Sequence, residues 1–291
     1  MDILYKGVAF NDKISVTVIE ATSLVNEAIK IHKLSPLAAA ALGRTMIAST
    51  FMASTLKGET DRLSVTLSGN GVGGHIVVAG DTKLNIRGYI DNPQCDLPLN
   101  AKGKLDVAGC VGKGRLTVVK SMGLKEPYTG SAEIVSGEIA EDFAAYYTYS
   151  EQQPTGMALG VKIGTNLECV GAGGVVFQVL PDADDLSIDM AENLLMTLFD
   201  VSTIMQNEGA ESFVKRVFKD YKYETFYPKY QCICSSDYIE KMLLTLGENE
   251  LRDTVEKEGK IEVHCHFCNK NYTYFKEDVD KLICRAVGKK G

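Results

Sequence analysis

Short runs of apolar and polar residues dominate the first 180 positions of the chain and predict strands. The runs "ILYKGVAF" and "ISVTVIEA" flank residues 11–13, Asn-Asp-Lys, which predicts an opening hairpin. Further strand-like runs are "RLSVTLSG", "HIVVAGD", "KLNIRGYI", "GRLTVVKSM", "SAEIVSG", "GMALGVKI" and "GGVVFQVL". Because turns rich in Gly and Asn separate them, we expect an antiparallel sheet.

Helical segments interrupt these strands. Ser35 followed by Pro36 is a typical helix start, and residues 138–150 predict another helix. The segment from Pro36 to Thr55 is apolar enough to suggest a membrane span, but it carries Arg44 and many small or hydroxylated residues. We therefore expect a buried helix there and an α+β domain over residues 1–180.

A change of pattern follows Pro181 and the acidic run at 182–185. Beyond it, apolar residues recur at helical spacing, which predicts a helical linker over residues 181–230. The apolar residues of this segment are Leu194, Leu195, Leu198, Phe199, Phe213, Val214, Val217 and Phe218, followed by the aromatic residues Tyr221, Tyr223, Phe226 and Tyr227.

Residues 231–291 form a separate, small C-terminal region. Asp237, with Glu240 three residues later, predicts the capped start of one helix, and a polar helix at 248–258 should end at Gly259. The runs "KIEVH" and "NYTYF" predict a hairpin. Since the region has few other apolar runs, we expect it to have little core of its own.

Composition narrows the functional classes. The 291 residues are 45% hydrophobic and 24% charged, with a net charge of −7, as in an ordinary globular protein. From residue 221 onwards the chain has 12 basic and 12 acidic residues. With no excess of positive charge, no cationic surface for nucleic acid is expected. The opening "MDILYKGVAFNDK" resembles no secretory signal. We expect a cytoplasmic protein that binds neither nucleic acid nor a membrane.

No motif predicts an enzyme. The glycines of "GNGVGG" at 69–74 have dinucleotide-binding spacing, but a strand rather than a helix follows them, so a glycine-rich hairpin is the simpler interpretation. The four histidines, His32, His75, His264 and His266, are scattered, and no G-x-S-x-G elbow is present. We therefore predict a protein without catalytic residues.

The eight cysteines are unevenly distributed. Cys95, Cys110 and Cys169 are dispersed through the first 180 residues, where a small buried side chain is the default interpretation. Five lie after residue 231, and four of these form two close pairs. The pairs are Cys232 with Cys234, in C-x-C spacing, and Cys265 with Cys268, in C-x-x-C spacing.

Two such pairs are typical of a structural zinc site. Each places two sulfurs on one turn, and two turns can surround a tetrahedral ion with thiolates. Cys232, Cys234, Cys265 and Cys268 would then hold one Zn²⁺ in a closed site. His264 and His266 are possible substitute ligands, whereas Cys284 should be packed.

The pairing also predicts sensitivity to oxidation. Residues two or three apart can approach within disulfide distance, so oxidation could close each pair on itself. Such small rings stabilise a fold by only about 2 kcal/mol, against about 10–16 kcal/mol of apparent folding energy from structural zinc. A link from Cys234 to Cys265 would preserve more structure. The arrangement suits an oxidation-triggered unfolding switch.

The whole chain resembles the redox-regulated thirty-three-kilodalton heat shock chaperonin family of bacteria. The resemblance rests on C-x-C at 232–234 with C-x-x-C at 265–268, and on three further stretches. These stretches are "LAAAALGRTMIASTFMASTLKG" at 37–58, "YYTYSEQQPTGMALGV" at 146–161 and "GGVVFQVLPDA" at 173–183.

The resemblance implies an ATP-independent holdase for unfolded or partly folded client proteins. It implies a protein that is inactive when reduced and zinc-bound and active, often as a homodimer, when oxidised. It also implies four zinc ligands, Cys232, Cys234, Cys265 and Cys268, which pair as Cys232–Cys234 and Cys265–Cys268 on oxidation. Two alternatives stay open: a thiol–disulfide oxidoreductase using "CHFC", and a constitutive zinc-stabilised interaction module.

Overall fold

The structure is a computed structural model that describes residues 1–123, 125–219 and 222–287. The chain divides into two compact units, one spanning Met1–Gln231 and a second beginning at Cys232. Tyr221, which the aromatic run included, lies outside the described residues. Each unit has a hydrophobic core of its own.

The first unit is a mixture of strands and helices. Its strands are β1 (Ile3–Ala9), β2 (Ile14–Glu20), β3 (Arg62–Gly69), β4 (His75–Asp81), β5 (Asn85–Ile90), β6 (Gly114–Ser121), β7 (Tyr128–Glu133), β8 (Thr155–Ile163), β9 (Cys169–Val179), β10 (Tyr223–Phe226) and β11 (Lys229–Tyr230). Its helices are α1 (Thr22–His32), α2 (Pro36–Ala53), α3 (Val107–Val111), α4 (Ala140–Tyr149), α5 (Asp185–Met196), α6 (Val201–Asn207) and α7 (Gly209–Val217).

These strands build two sheets rather than the single sheet that the pattern suggested. One has the order β10-β1-β2-β9-β8 and the other β11-β5-β4-β3-β6-β7. All pairings are antiparallel except that of β11 with β5. The predicted hairpins are confirmed: β1 pairs with β2, and β3 pairs with β4 around the glycine-rich turn. The α+β class is therefore confirmed.

Helix α2 is buried on nearly every side. It contacts strands of both sheets, and the Ser35 side chain accepts a hydrogen bond from the Ala38 N–H, as predicted for its N-cap. Its small residues allow this close packing, which explains an apolar run without amphipathic periodicity. Among the described residues, no helix is long and apolar enough to cross a membrane.

The predicted strand "SAEIVSG" is wrong in its bounds, because β7 ends at Glu133. The cause is Asp142, a fully buried residue of α4. Its carboxylate accepts hydrogen bonds from the backbone N–H groups of Val135, Ser136, Gly137 and Ile139. These amides donate to a buried carboxyl group instead of extending the sheet.

Helices α5, α6 and α7 form a layer against the five-stranded sheet. Their apolar side chains pack with residues of β1, β2 and β9 in a second cluster of the first unit. Phe213 and Leu198 are buried in it, whereas Phe199 is 82% exposed. The helical spacing after Pro181 is confirmed, but β10 and β11, which join an edge of each sheet, were not predicted.

The second unit contains α8 (Ser236–Leu244), α9 (Glu248–Glu258), β12 (Lys260–His264), β13 (Asn271–Phe275) and α10 (Lys276–Val287). The predicted hairpin is confirmed by antiparallel pairing of β12 with β13. The expected lack of core is wrong, because this unit has its own buried cluster. The cluster consists of Ile239, Leu243, Leu251, Val255, Ile261, Tyr274, Val279, Leu282 and Ile283.

The start of α8 differs from its predicted position, whereas the end of α9 agrees with it. Helix α8 starts two residues earlier than expected, because the side chain of Ser235, not Asp237, accepts the capping hydrogen bond from the Tyr238 N–H. Helix α9 ends at Gly259 in the left-handed conformation, as predicted.

Candidate metal centre

The four paired cysteines of the second unit come together in space. Their sulfur atoms all lie within 4.8 Å of one another. The Sγ of Cys232 is 3.3 Å from that of Cys234 and 3.6 Å from that of Cys265, and the Sγ atoms of Cys234 and Cys268 are 3.2 Å apart. All four side chains are half-buried.

The turn between β12 and β13 presents Cys265 and Cys268. The Cys265 N–H donates to the Lys270 carbonyl at 2.9 Å, and the Asn269 N–H donates to the Cys265 carbonyl at 2.8 Å. Asn269 adopts a left-handed conformation, with φ of 55°, which asparagine tolerates better than most residues. This turn aims two sulfurs to one side of the hairpin.

Cys232 and Cys234 lie on the extended segment between β11 and α8. Ser235 has extended backbone angles and caps α8 with its hydroxyl, so Cys234 directly precedes the start of that helix. Alternate residues of an extended chain project to the same side. The C-x-C spacing therefore brings both sulfurs towards the hairpin turn.

This donor set fits zinc. A tetrahedral ion with Zn–S bonds of ~2.3 Å has sulfurs about 3.8 Å apart, close to the separations of the four thiols. Four soft sulfur donors in a half-buried position are typical of a structural site that leaves no coordination position for a reacting water. Cys232, Cys234, Cys265 and Cys268 are thus the residues that could hold a metal.

The histidines beside this turn are not part of the cluster. Among the described residues, the group of possible metal ligands contains only the four cysteines. His264 and His266 are exposed, and the Nδ1 of His264 lies 2.6 Å from the Oδ1 of Asn271. Cys284 is also exposed, so the expectation that it is packed is wrong.

Tyr272 is a site residue that the sequence pattern did not identify. Its hydroxyl donates a hydrogen bond to the Sγ of Cys234 at 3.2 Å. The residue lies on β13 opposite Val263 of β12. An aromatic residue four positions after the C-x-x-C motif is the only signal in the sequence, and it becomes meaningful once the hairpin register is known.

The thiols differ in their proton affinity. Burial acts to raise the pKa of Cys234, but hydrogen bonds from the Tyr272 hydroxyl and the Cys268 thiol outweigh burial and lower the pKa to about 7. Burial and then the hydrogen bond to Cys234 raise the pKa of Cys268 to about 11. Burial likewise raises the pKa of Cys232. Cys234 is therefore the sulfur best prepared to carry negative charge.

Comparison with known proteins agrees with this arrangement. The family model described as Hsp33 protein matches residues 2–275. A 33 kDa chaperonin of Acetivibrio thermocellus is 45% identical, with 90% of each chain covered, and one of Clostridium acetobutylicum is 38% identical, with 99% of each chain covered. The crystal structure of a 33 kDa chaperonin from Thermotoga maritima matches with a TM-score of 0.87 and 35% identity, over 98% of this chain and 99% of that one.

These matches extend over both units and include the four clustered cysteines. The chain therefore belongs to the Hsp33 family.

Proposed function

We propose that this protein is a redox-regulated, ATP-independent molecular chaperone that holds unfolding proteins during oxidative stress. The observation that supports the proposal most strongly is the closed group of four thiols in a chain of the Hsp33 family. Its partners are unfolded or partly folded client proteins, and its active form is a homodimer in the cytoplasm. Its role is binding rather than catalysis.

In the reduced, inactive state, Cys232, Cys234, Cys265 and Cys268 hold one Zn²⁺ per chain. Zinc, when bound, ties the C-x-C segment to the hairpin turn through four thiolates. The cluster around Leu251 and Ile283 is small. A core in a region of ~60 residues rarely contributes more than about 3–5 kcal/mol, so the fold of the second unit depends on its thiolate ligands.

Oxidation forms the Cys232–Cys234 and Cys265–Cys268 disulfides and activates the chaperone. Each bond removes two electrons from its two thiolates; hydrogen peroxide accepts them and, with two protons from solvent, gives two water molecules. Disulfide sulfurs no longer bind zinc, so the ion leaves. Cys234 also lies 3.2 Å from Cys268 in the assembled cluster. Local pairing is proposed because chain neighbours stay close while the cluster separates, whereas cross-pairs move apart.

The client surface is proposed on the layer of α5 to α7. Leu186, Met196 and Phe199 are already exposed there, with Phe199 at 82%. Helices of the same layer bury further apolar residues that local opening would add to the patch. The second unit begins just after β11. Its unfolding would therefore remove the folded structure that follows the helical layer in the chain.

One observation weighs against the oxidoreductase alternative. Cys265 and Cys268 lie in a hairpin turn between two strands. A thiol–disulfide oxidoreductase places its C-x-x-C motif at a helix N-terminus, where the helix lowers the pKa of the attacking thiol. The Cys265–Cys268 turn lacks that support.

The test is suppression of aggregation by the full-length protein. An unfolding client enzyme is diluted into buffer with the reduced, zinc-loaded protein or with the same protein after peroxide treatment, and light scattering is followed. We expect suppression at near-stoichiometric ratios only after oxidation. Suppression that is equal before and after oxidation would instead support a constitutive zinc-stabilised module, and multiple turnover of a dithiol substrate would support the oxidoreductase.

A matched variant distinguishes the effect of oxidation at the four clustered cysteines from the effect of general oxidative damage. Cys284→Ser removes an exposed thiol of the same unit and should leave activation unchanged, whereas Cys265→Ser should abolish the reduced, inactive state. Metal analysis of the purified reduced protein should give one zinc per chain. A zinc content near zero, or one unaffected by Cys265→Ser, would contradict the proposed ligand set.

A further inference from the structure

The first unit contains a thiol pair of its own. The Sγ of Cys95 lies 3.6 Å from the Sγ of Cys110, although the residues are 15 positions apart. Cys110 belongs to α3 and is fully buried, and Cys95 is half-buried in the loop of residues 91–106 that precedes α3. The proposed metal centre gives this pair no role.

We propose that Cys95 and Cys110 form a disulfide under oxidising conditions, and that this bond ties the 91–106 loop to α3 and stabilises the first unit. The pair is thus a second modification site, whose reagent is a hydroperoxide. The inference goes beyond the proposed chaperone function and does not depend on zinc.

The Cys110 side of the pair is fixed by its backbone. The N–H of Gly73 donates to the Cys110 carbonyl at 2.9 Å, and the N–H of Gly71 donates to the Val111 carbonyl at 3.0 Å. A Cβ on Gly73 would lie 2.7 Å from the Cys110 Sγ, so this turn packs directly on the sulfur. Cys110 therefore has little freedom to turn away from Cys95.

Hydrogen bonds hold the backbone of the loop at Cys95, but the Cys95 side chain can still rotate. The Ser35 hydroxyl donates to the Cys95 carbonyl at 2.5 Å, and the Ser35 N–H donates to the Pro93 carbonyl at 2.8 Å. These bonds keep the loop beside the start of α2 and direct Cys95 towards α3. A disulfide requires an S–S distance of about 2.0 Å, which the sulfurs reach by closing about 1.6 Å. A rotation of the half-buried Cys95 side chain with a small loop shift can supply that movement.

The exposure and the pKa of the two thiols decide which of them reacts with the peroxide first. Burial raises the pKa of Cys95, although the hydrogen bond from the Cys110 thiol opposes the increase. Burial raises the pKa of Cys110 much further, and the neighbouring Cys95 adds to it. Cys95 is therefore the sulfur that meets the oxidant, and because little of it is ionised at neutral pH the reaction is slow.

The step is balanced in atoms and electrons. The Cys95 thiol first gives its proton to solvent, the resulting thiolate attacks one oxygen of hydrogen peroxide, and the O–O bond breaks. The departing hydroxide takes a proton from solvent to give water, and Cys95 is left as a sulfenic acid. The Cys110 sulfur then attacks the Cys95 Sγ. The S–O bond breaks, the S–S bond forms, and hydroxide leaves with the Cys110 proton as a second water. The two sulfurs lose two electrons in total, and the peroxide gains them.

The bond would close a loop that already packs on the main core. Cys95, Leu97 and Leu105 contact the buried cluster of the first unit from this loop. A cross-link over 15 positions restricts the unfolded chain and so favours the folded state. Oxidation would then stabilise the first unit in addition to opening the second.

The first test is peptide mapping of the full-length protein. Reduced protein is exposed to hydrogen peroxide over several hours, remaining thiols are alkylated after unfolding, and peptides are identified by mass spectrometry. We expect a linked pair of peptides containing Cys95 and Cys110 that disappears on reduction. Recovery of both residues as alkylated thiols, or of Cys95 as a sulfinic acid with Cys110 alkylated, would overturn the proposal.

The second test measures the consequence in a full-length variant that carries the substitutions Cys232→Ser, Cys234→Ser, Cys265→Ser and Cys268→Ser. Oxidation should raise the thermal midpoint of the first unit by about 5 °C in this background. Cys95→Ala should remove the increase, and the matched control Cys169→Ala, at another buried cysteine of the unit, should retain it. An equal increase in Cys95→Ala, or none in the parent variant, would overturn the stabilising role. Because this background lacks the metal ligands, the outcome is independent of the proposed chaperone switch.

Discussion

At the scale of single residues, the cysteine cluster is organised by contacts from its neighbours. The Tyr272 hydroxyl donates to the Cys234 Sγ, and the N–H groups of the hairpin turn fix Cys265. Groups that hydrogen-bond to metal ligands orient them and tune their charge. The reactivity of this site therefore depends on β13 as well as on the four cysteines.

Tyr272→Phe should weaken zinc binding about tenfold, because it removes the hydroxyl that stabilises the Cys234 thiolate. Competition with a chromophoric chelator measures the affinity. Tyr274→Phe is the matched control on the same strand, since the buried Tyr274 hydroxyl has no hydrogen-bond partner among the described residues. Equal affinities for the two variants would show that the Tyr272 contact does not act on the metal centre.

Zinc uptake should release protons at pH 7. In the folded arrangement the pKa of Cys268 is about 11 and that of Cys232 is also raised, and in an unfolded, metal-free unit a thiol has a pKa of about 8.5. In either case both thiols are mostly protonated at pH 7. Protons compete with the metal, so affinity falls as pH falls. We expect about two or more protons per zinc, measured by calorimetry in buffers of different ionisation enthalpy. Release of less than one proton would contradict thiolate ligation by this pair.

The sequence predicted that the four cysteines come together, because the two close pairs form a pattern that can be read without the fold. It did not predict Tyr272, whose contact depends on the register of β12 against β13. Asp142 was missed for a related reason, because its role depends on a turn that folds back onto α4. Pairwise contacts over a distance leave no local pattern in one sequence.

At the scale of elements, the layer of α5 to α7 combines buried and exposed apolar residues. Phe213 is buried against the sheet and packs edge-on against Phe218, with ring centroids 6.2 Å apart. Phe199 lies after α5 and is exposed. The helical periodicity predicted this layer, but it did not reveal that β10 and β11 continue both sheets, because strands of four and two residues are too short to show alternation.

Phe213→Ala should loosen this layer and give partial chaperone activity without oxidation. Truncation of a buried Phe costs about 3–5 kcal/mol, which raises the population in which the helices are open. Suppression of client aggregation by the reduced, zinc-loaded variant measures the effect.

Phe199→Ala is the matched control, since an exposed side chain contributes less than about 0.5 kcal/mol to stability. It should leave the reduced protein inactive and weaken client capture by the oxidised protein. If Phe213→Ala stays as inactive as the parent when reduced, opening of this layer does not expose the client surface.

At the scale of the whole molecule, two units with separate cores share one chain. The first has a large core around α2, whereas the core of the second is small and lies in a unit that also carries the four thiols. From a change of pattern and a concentration of cysteines, the sequence predicted three parts, residues 1–180, 181–230 and 231–291; the second unit begins one residue after the start of the last part. The second core was underestimated, because its apolar residues are spread over three helices and a hairpin rather than in one run.

Metal removal should unfold the second unit and leave the first unit folded, without any oxidant. A strong chelator applied to the reduced protein should abolish the folded signals of the second unit in an NMR spectrum, while the thermal midpoint of the first unit stays within a few degrees. Readdition of zinc should restore the spectrum. Retention of dispersed signals from residues 232–287 in the metal-free protein would mean that the core of this unit is sufficient by itself.

Hydrogen exchange of the full-length protein, read by mass spectrometry before and after peroxide treatment, would show directly whether oxidation opens the second unit. We expect oxidation with zinc release to increase exchange first in residues 232–287, then in the helical layer and β10–β11 at 185–230. Strands β1 to β9 should keep their protection. Protection of residues 232–287 that persists while suppression of client aggregation appears would contradict activation by unfolding of the second unit.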